Sequence, residues 1–298
     1  MKKKRTKKRR RNLLLFGIIS ALVMYYISVV LFTIVGLTTT SHHTVCCQTP
    51  ADYGLHYEAI SFQSQDGTQL VGWYIPPQNG TIVILLHGYG GDRRSMLNVA
   101  NMLGRHGFGS VLYDMRGHGE SHSQFRSGGW QDVADVAAAV TYLQNRSELG
   151  IEHIAIFGFS VGGQVAIHAA AEIESISAVI ADGPSTARGK DMPQDTLFAR
   201  LDATVTASLI ETGVVLRTGV SPPAAIVDVV ATIAPRPILF IAGGNTMRNL
   251  EERTVRRYYE FANQPKDLWF VPNANHGQVV HFHPEEYERR IVSFLTGG

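Results

Sequence analysis

Eight short strand-like runs recur along this chain, separated by longer stretches with helical periodicity. The runs are Tyr57–Ser64, Gln69–Ile75, Thr81–Leu86, Ser110–Tyr113, Ile154–Phe157, Ala178–Ala181, Ile238–Ala242 and Leu268–Val271. Arg93–His106, Asp132–Arg146, Gln164–Ala171, Leu250–Ala262 and Pro284–Leu295 read as helices. Runs that are apolar on both faces must be covered on both faces, and an amphipathic helix covers them with one stripe. The alternation predicts an α/β fold: a mostly parallel, eight-stranded sheet with helices on both faces. The first two runs, joined at Asp66-Gly67, are expected to form a hairpin. Ligands of such sheets sit beyond the carboxyl ends of the strands.

One segment breaks the rhythm. Ser185–Ile233 is longer than a simple crossover and carries helical pieces around Thr196–Glu211 and Ala224–Ala231, split by Gly213, Gly219 and Pro222-Pro223. It reads as an insertion, about 185–233, that caps the site. The plainer alternative is one crossover helix with long loops.

The first part of the chain is different in kind. Nine of the 27 basic residues lie in Lys2–Arg11, and Leu13–Leu37 is 25 residues without a charge. At about 1.5 Å per residue, a helix of that length exceeds the roughly 30 Å hydrocarbon core. A cleaved leader has a shorter apolar region and a small-residue cleavage site, and Thr38-Thr39-Thr40-Ser41 offers no clear one. No lysine or arginine occurs between the span and Arg93. The charge asymmetry predicts a cytoplasmic N-terminus and a body across the membrane. The expected organisation is a basic head at 1–12, a transmembrane anchor at 13–37, a linker at 38–54 and one domain at 55–298.

Outside the head the chain carries 18 basic against 25 acidic residues, a net of −7, which disfavours nucleic-acid binding. Cys46 and Cys47 are adjacent and outside the body, so no disulfide staples it. Neighbouring Cα atoms about 3.8 Å apart make a vicinal bridge strained. Pairing between chains and idle thiols are both left open. No C-x-x-C or His/Cys cluster suggests zinc, and no metal site is expected.

The chemistry concentrates at Gly158-Phe159-Ser160-Val161-Gly162, which follows an apolar strand and precedes a helix. This G-x-S-x-G context raises a serine hydroxyl on a sharp turn at the end of a sheet. Such a nucleophile needs a base, an acid to orient that base, and an oxyanion hole. His276 is the best base of 12 histidines, because its loop follows the last strand at the same edge. The oxyanion donors are expected to be the Val161 amide and one amide from His87-Gly88-Tyr89-Gly90-Gly91, with Tyr89 the candidate.

With the late His276, the H-G-x-G-G loop at His87–Gly91, the elbow, and Asp114-Met115-Arg116-Gly117-His118-Gly119-Glu120-Ser121, residues 55–297 resemble the α/β-hydrolase superfamily. The N-terminal anchor is similar to that of its single-pass, membrane-tethered serine hydrolases. The resemblance implies scaffolding roles for Asp114, Arg116 and His118. It also implies an acid just past the strand Ile238–Ala242, where this chain has Gly243-Gly244-Asn245-Thr246 instead. Glu251 is the leading substitute, with Glu252 and Asp182 as alternatives, and a dyad without an acid remains open. Glu251 and Glu252 could equally be solvated residues favoured by the helix dipole.

The resulting expectation is a membrane-anchored serine hydrolase that cleaves ester-type acyl bonds without a cofactor. Its substrate would be a small-molecule or lipid-like ester. Peptide and thioester substrates share the same chemistry. Ser160, where dehalogenases and epoxide hydrolases of this fold carry Asp, argues against both. The rival from another class is a non-catalytic, membrane-tethered module that kept the fold. Oligomeric state is not legible.

Overall fold

The computed structural model describes residues 2–146 and 150–297. Met1 of the expected head and Gly298 of the expected body lie outside the described residues. The eight expected strands form one sheet: β1 (Glu58–Gln63), β2 (Gln69–Ile75), β3 (Thr81–Leu86), β4 (Gly109–Tyr113), β5 (His153–Phe159), β6 (Ile176–Asp182), β7 (Ile238–Gly243) and β8 (Lys266–Val271). Their order is β8-β7-β6-β5-β3-β4-β2-β1. Pairing is parallel from β4 through β8, and β2 runs antiparallel to both β1 and β4. The β1–β2 turn is set by Asp66 Oδ1, which accepts from Thr68 N at 3.0 Å.

Apolar residues on the two faces of each inner strand belong to different cores. One core holds Ile84, Ile156, Val179 and Phe240, and the other holds Leu85, Phe157, Ile180 and Ile241. Helices cover both. Counting α1 as the N-terminal helix Lys2–Thr38, they are α2 (Leu97–Gly104), α3 (Asp132–Gln144), α4 (Val161–Glu172), α5 (Leu197–Leu201), α6 (Ala207–Thr218), α7 (Ile226–Val229), α8 (Leu250–Phe261), α9 (Val279–Phe282) and α10 (Pro284–Leu295). Within α1, Arg11–Thr38 is long and apolar enough to cross a membrane, with a mean hydropathy of 2.4.

Three stretches depart from expectation for identifiable reasons. Arg93–Met96 is a 3-10 turn rather than the first turn of α2, because the Asp92 carboxylate accepts from Arg94 N and Asp114 accepts from Arg93 N. Gly213, expected to break the insertion, lies inside α6, which ends only at Gly219 with φ 72°. The reason is tertiary: a Cβ at position 213 would stand 2.2 Å from Ile34 Cδ1 of α1, so glycine is the notch that lets two helices touch. Residues 38–54, expected as a linker, are laid along the body. Ser41–His42 pairs in parallel with His118–Gly119, Val45 N donates to Glu120 Oε1 at 3.1 Å, and Pro50–Tyr53 forms a 3-10 turn.

Candidate active site

Strand β5 delivers Ser160 at its carboxyl end. Ser160 has φ 57° and ψ −118°, a sparsely populated conformation that costs about 1–3 kcal/mol. Main-chain bonds hold it there. Ser160 N donates to Asp182 O at 2.9 Å, and its carbonyl accepts from Gln164 N and Ser185 N, both at 3.1 Å. The flanking glycines are required by contact. A Cβ at 158 would lie 2.0 Å from Gly162 O, and one at 162 would lie 2.4 Å from Leu86 O.

The loops after β7 and β8 bring the other two groups. Ser160 Oγ and His276 Nε2 are 3.0 Å apart. His276 Nδ1 lies 2.8 Å from Glu251 Oε2. The imidazole is 45% exposed and the carboxylate only 7%, so the base faces the pocket while its partner is fixed in protein. The other oxygen of Glu251 accepts from Gly243 N at 2.7 Å. The hydrogen bond to Glu251 raises the His276 pKa above the ordinary imidazole value, although burial opposes it. Phe159 backs the ring, with centroids 4.9 Å apart.

The two alternative acids stand elsewhere. Glu252, one position along α8, pairs with Arg256 at 2.8 Å. Asp182 is buried and points away from the imidazole: its Oδ2 accepts from Tyr287 OH at 2.7 Å, and its Oδ1 has no partner. Burial raises its pKa to about 7. A third residue, Ser185, places Oγ 3.4 Å from Ser160 Oγ. The sequence offered a cue in its position just past the end of β6, which was read only as the start of the insertion.

The His87–Gly91 loop lies directly on the elbow, since a Cβ on Gly88 would stand 3.3 Å from Ser160 Cβ. Val161 is the first residue of α4, so its N–H has no helical acceptor. Among the described residues, neither the Val161 nor the Tyr89 amide donates to a protein acceptor. His87 braces this loop: Nδ1 bonds Gly88 O at 2.8 Å and Nε2 accepts from Met115 N at 3.0 Å. That pattern is the neutral tautomer, and burial lowers its pKa. Asp114 meets Arg93, Arg116 meets Asp135 and Asp66, and His118 accepts from Gly90 N and Arg126, so these three are structural in geometry. His168, inside α4, is satisfied by Gln164 O and Ala224 O.

Three cavities adjoin these groups. One of 340 Å³ is lined by Ser185, Met192, Met247, Leu250, Glu251 and His276. A second, of 1070 Å³, shares Met192, Met247 and Leu250 with it and extends over the insertion to Tyr26 of α1. A third, of 380 Å³, lies between Val161, Ser185 and α6. Residues of the expected insertion between Ser185 and Val214 line these cavities, whereas residues 225–233 pack into the core.

A parallel-sheet fold with a serine elbow, and a histidine and carboxylate on later strand-end loops, defines the class of α/β hydrolases. The chain has that fold, and the family described as alpha/beta hydrolase fold matches its residues 81–207. The chain is similar to the Escherichia coli protein YfhR, 25% identical over 247 residues covering 80% of each chain. It is also similar to the Mycobacterium tuberculosis protein Rv2307c, 28% identical over 245 residues, 78% of this chain and 75% of the other. Among solved structures, the Pyrococcus furiosus esterase Pf2001 superposes with a TM-score of 0.68 at 26% identity, covering 85% of this chain and 97% of that one.

Proposed function

We propose that this protein is a membrane-tethered serine hydrolase acting on carboxylic esters. The observation that carries the reading is the continuous relay from Ser160 Oγ through His276 to Glu251, at 3.0 Å and 2.8 Å. His276 takes the Ser160 proton as the hydroxyl attacks the ester carbonyl. Glu251 fixes the tautomer and stabilises the imidazolium. The Val161 and Tyr89 amides receive the oxyanion. The alcohol leaves with the proton from His276, and water then cleaves the acyl-serine by the same route. The Ser160–His276–Glu251 contacts favour catalysis over a non-catalytic module. The likeness to the Pyrococcus esterase supports ester rather than amide substrates.

The apolar helix Arg11–Thr38 supports an anchor, and the basic residues before it support a cytoplasmic N-terminus with the body on the other side. The test is fluorophosphonate labelling of the full chain in membranes. The expected result is labelling of the native protein and none of Ser160→Ala, with p-nitrophenyl ester turnover reduced by about 10³-fold or more. Labelling of Ser160→Ala at the native level overturns the nucleophile. Protease added to intact cells should degrade the body but spare a tag before Lys2; protection of the body overturns the orientation.

A further inference from the structure

The helix that reads as an anchor also lends Tyr26 to the wall of the 1070 Å³ cavity. Tyr26 OH and Thr206 Oγ1 are 2.9 Å apart, and Ile34 seats in the Gly213 notch. The two contacts advance together along both helices, so α1 and α6 run side by side in the same direction. Depth follows from length. If the hydrocarbon begins at Leu13, just past the basic head, a core of about 30 Å ends about 20 residues later, near Thr33. Tyr26 then lies about 10 Å inside the outer leaflet. Thr206, bonded to Tyr26, lies at that level.

The insertion is dressed for such a position. Phe198, Leu201, Val205, Leu209 and Leu216 are all exposed, and they recur at spacings of three, four, four and seven along α5, the π-turn Asp202–Thr206 and α6. That spacing forms one stripe beside the anchor. Phe198 is 78% and Leu216 82% exposed. Two charged residues line the cavity: Arg253, which pairs with Asp195, and the exposed Asp202.

We infer that the middle of the stripe, Val205 to Leu209, is buried in the acyl region of the outer leaflet, and that the substrate is a bilayer-resident lipid ester whose chain passes sideways from the leaflet into the 1070 Å³ cavity. This rests on the ester-hydrolase reading for the chemistry and on α1 for the depth. The chain then crosses Met192, Met247 and Leu250, which both cavities share, and brings the ester carbonyl to Ser160.

The experiment uses the full chain in phosphatidylcholine vesicles. Leu209 lines none of the three cavities, so it probes the membrane face alone. Leu209→Trp should be quenched by phosphatidylcholine brominated midway along its chains, beyond the quenching of the native tryptophans. Leu209→Glu should lower kcat/KM for a long-chain monoacylglycerol in the vesicles by about tenfold or more, as expected for removing one leucine from lipid. The same variant should keep p-nitrophenyl acetate turnover within about twofold of native. Quenching of Leu209→Trp by aqueous acrylamide but not by the brominated lipid overturns the inference. So does an equal effect on both esters, or no effect on either. If native protein cleaves neither ester, the ester-hydrolase reading fails, and the bromine result still decides where the stripe sits.

Discussion

The phenol of Tyr89 donates to the carbonyl of Gly36, so the loop offering an amide beside Ser160 is tied to the last turn of α1. Arg126 reinforces the tie: its guanidinium lies 4.4 Å from the Tyr89 ring centroid, and it donates to Tyr89 OH at 2.8 Å and to Gly36 O at 3.2 Å. Tyr89→Phe removes this tether while leaving the amide. A single net hydrogen bond is worth about 0.5–1.5 kcal/mol, so kcat should fall by about two- to tenfold with KM unchanged. Steady-state kinetics of the full chain check this, and an unchanged kcat would show that the loop holds itself.

Glu251→Gln should reduce kcat by about 10²–10⁴-fold with little change in KM, because glutamine no longer stabilises the imidazolium. Glu252→Gln loses only an exposed pair with Arg256 and should stay within about twofold of native. Asp182→Asn should keep most activity. Matched kinetics of the three variants decide the assignment. A crippled Asp182→Asn beside a normal Glu251→Gln would reverse it.

The pH profile should carry the mark of the same pair. His276 must be neutral to accept the serine proton, and Glu251 holds its pKa above the ordinary imidazole value. The acid limb of kcat/KM, which reports the free enzyme, should therefore lie above 6.5, with activity rising as pH increases through it. In Glu251→Gln the limb should move to lower pH even as the maximum falls. A limb that stays in place on substitution would mean another group controls it.

Asp182 gives a stability signature of opposite logic. An ordinary aspartate titrates at 3.8, and the folded Asp182 at about 7. Between those values the folded chain keeps a proton that the unfolded chain has lost, so stability falls as pH rises across the window. Asp182→Asn cannot ionise. Its melting temperature relative to native should therefore climb from about pH 4 to pH 7, by at least about 2 °C. A difference independent of pH would show that the carboxyl is ionised in the fold.

The meeting of Ser160 with His276 was legible because Ser160 ends an internal strand in a G-x-S-x-G turn and the His276 loop follows the last strand at the same carboxyl edge of the parallel sheet. Glu251 was legible only as one choice among three. What selects it is the 3-10 turn Met247–Asn249 and the bond from Glu251 N to Thr246 Oγ1 at 3.3 Å, which fold the loop back toward His276. A turn of about 100° per residue carries Glu252 to another face. The partner of Asp182 is Tyr287, 105 residues away, and no local pattern announces such a contact. Gly213 was misread for a related reason. A glycine in a helical stretch looks like a break until the second helix that needs its bare backbone is in view.

Residues 38–54 leave α1 without slack against the body. Arg126 N binds Thr38 O at 3.2 Å, and three residues later the chain is already paired with His118–Gly119. In the tethered reading, the hydrolase is mounted on its helix as a fixture rather than leashed to it. Ser160 then works at one height above the bilayer midplane, and the population it samples is counted per unit area of lipid instead of per unit volume of water.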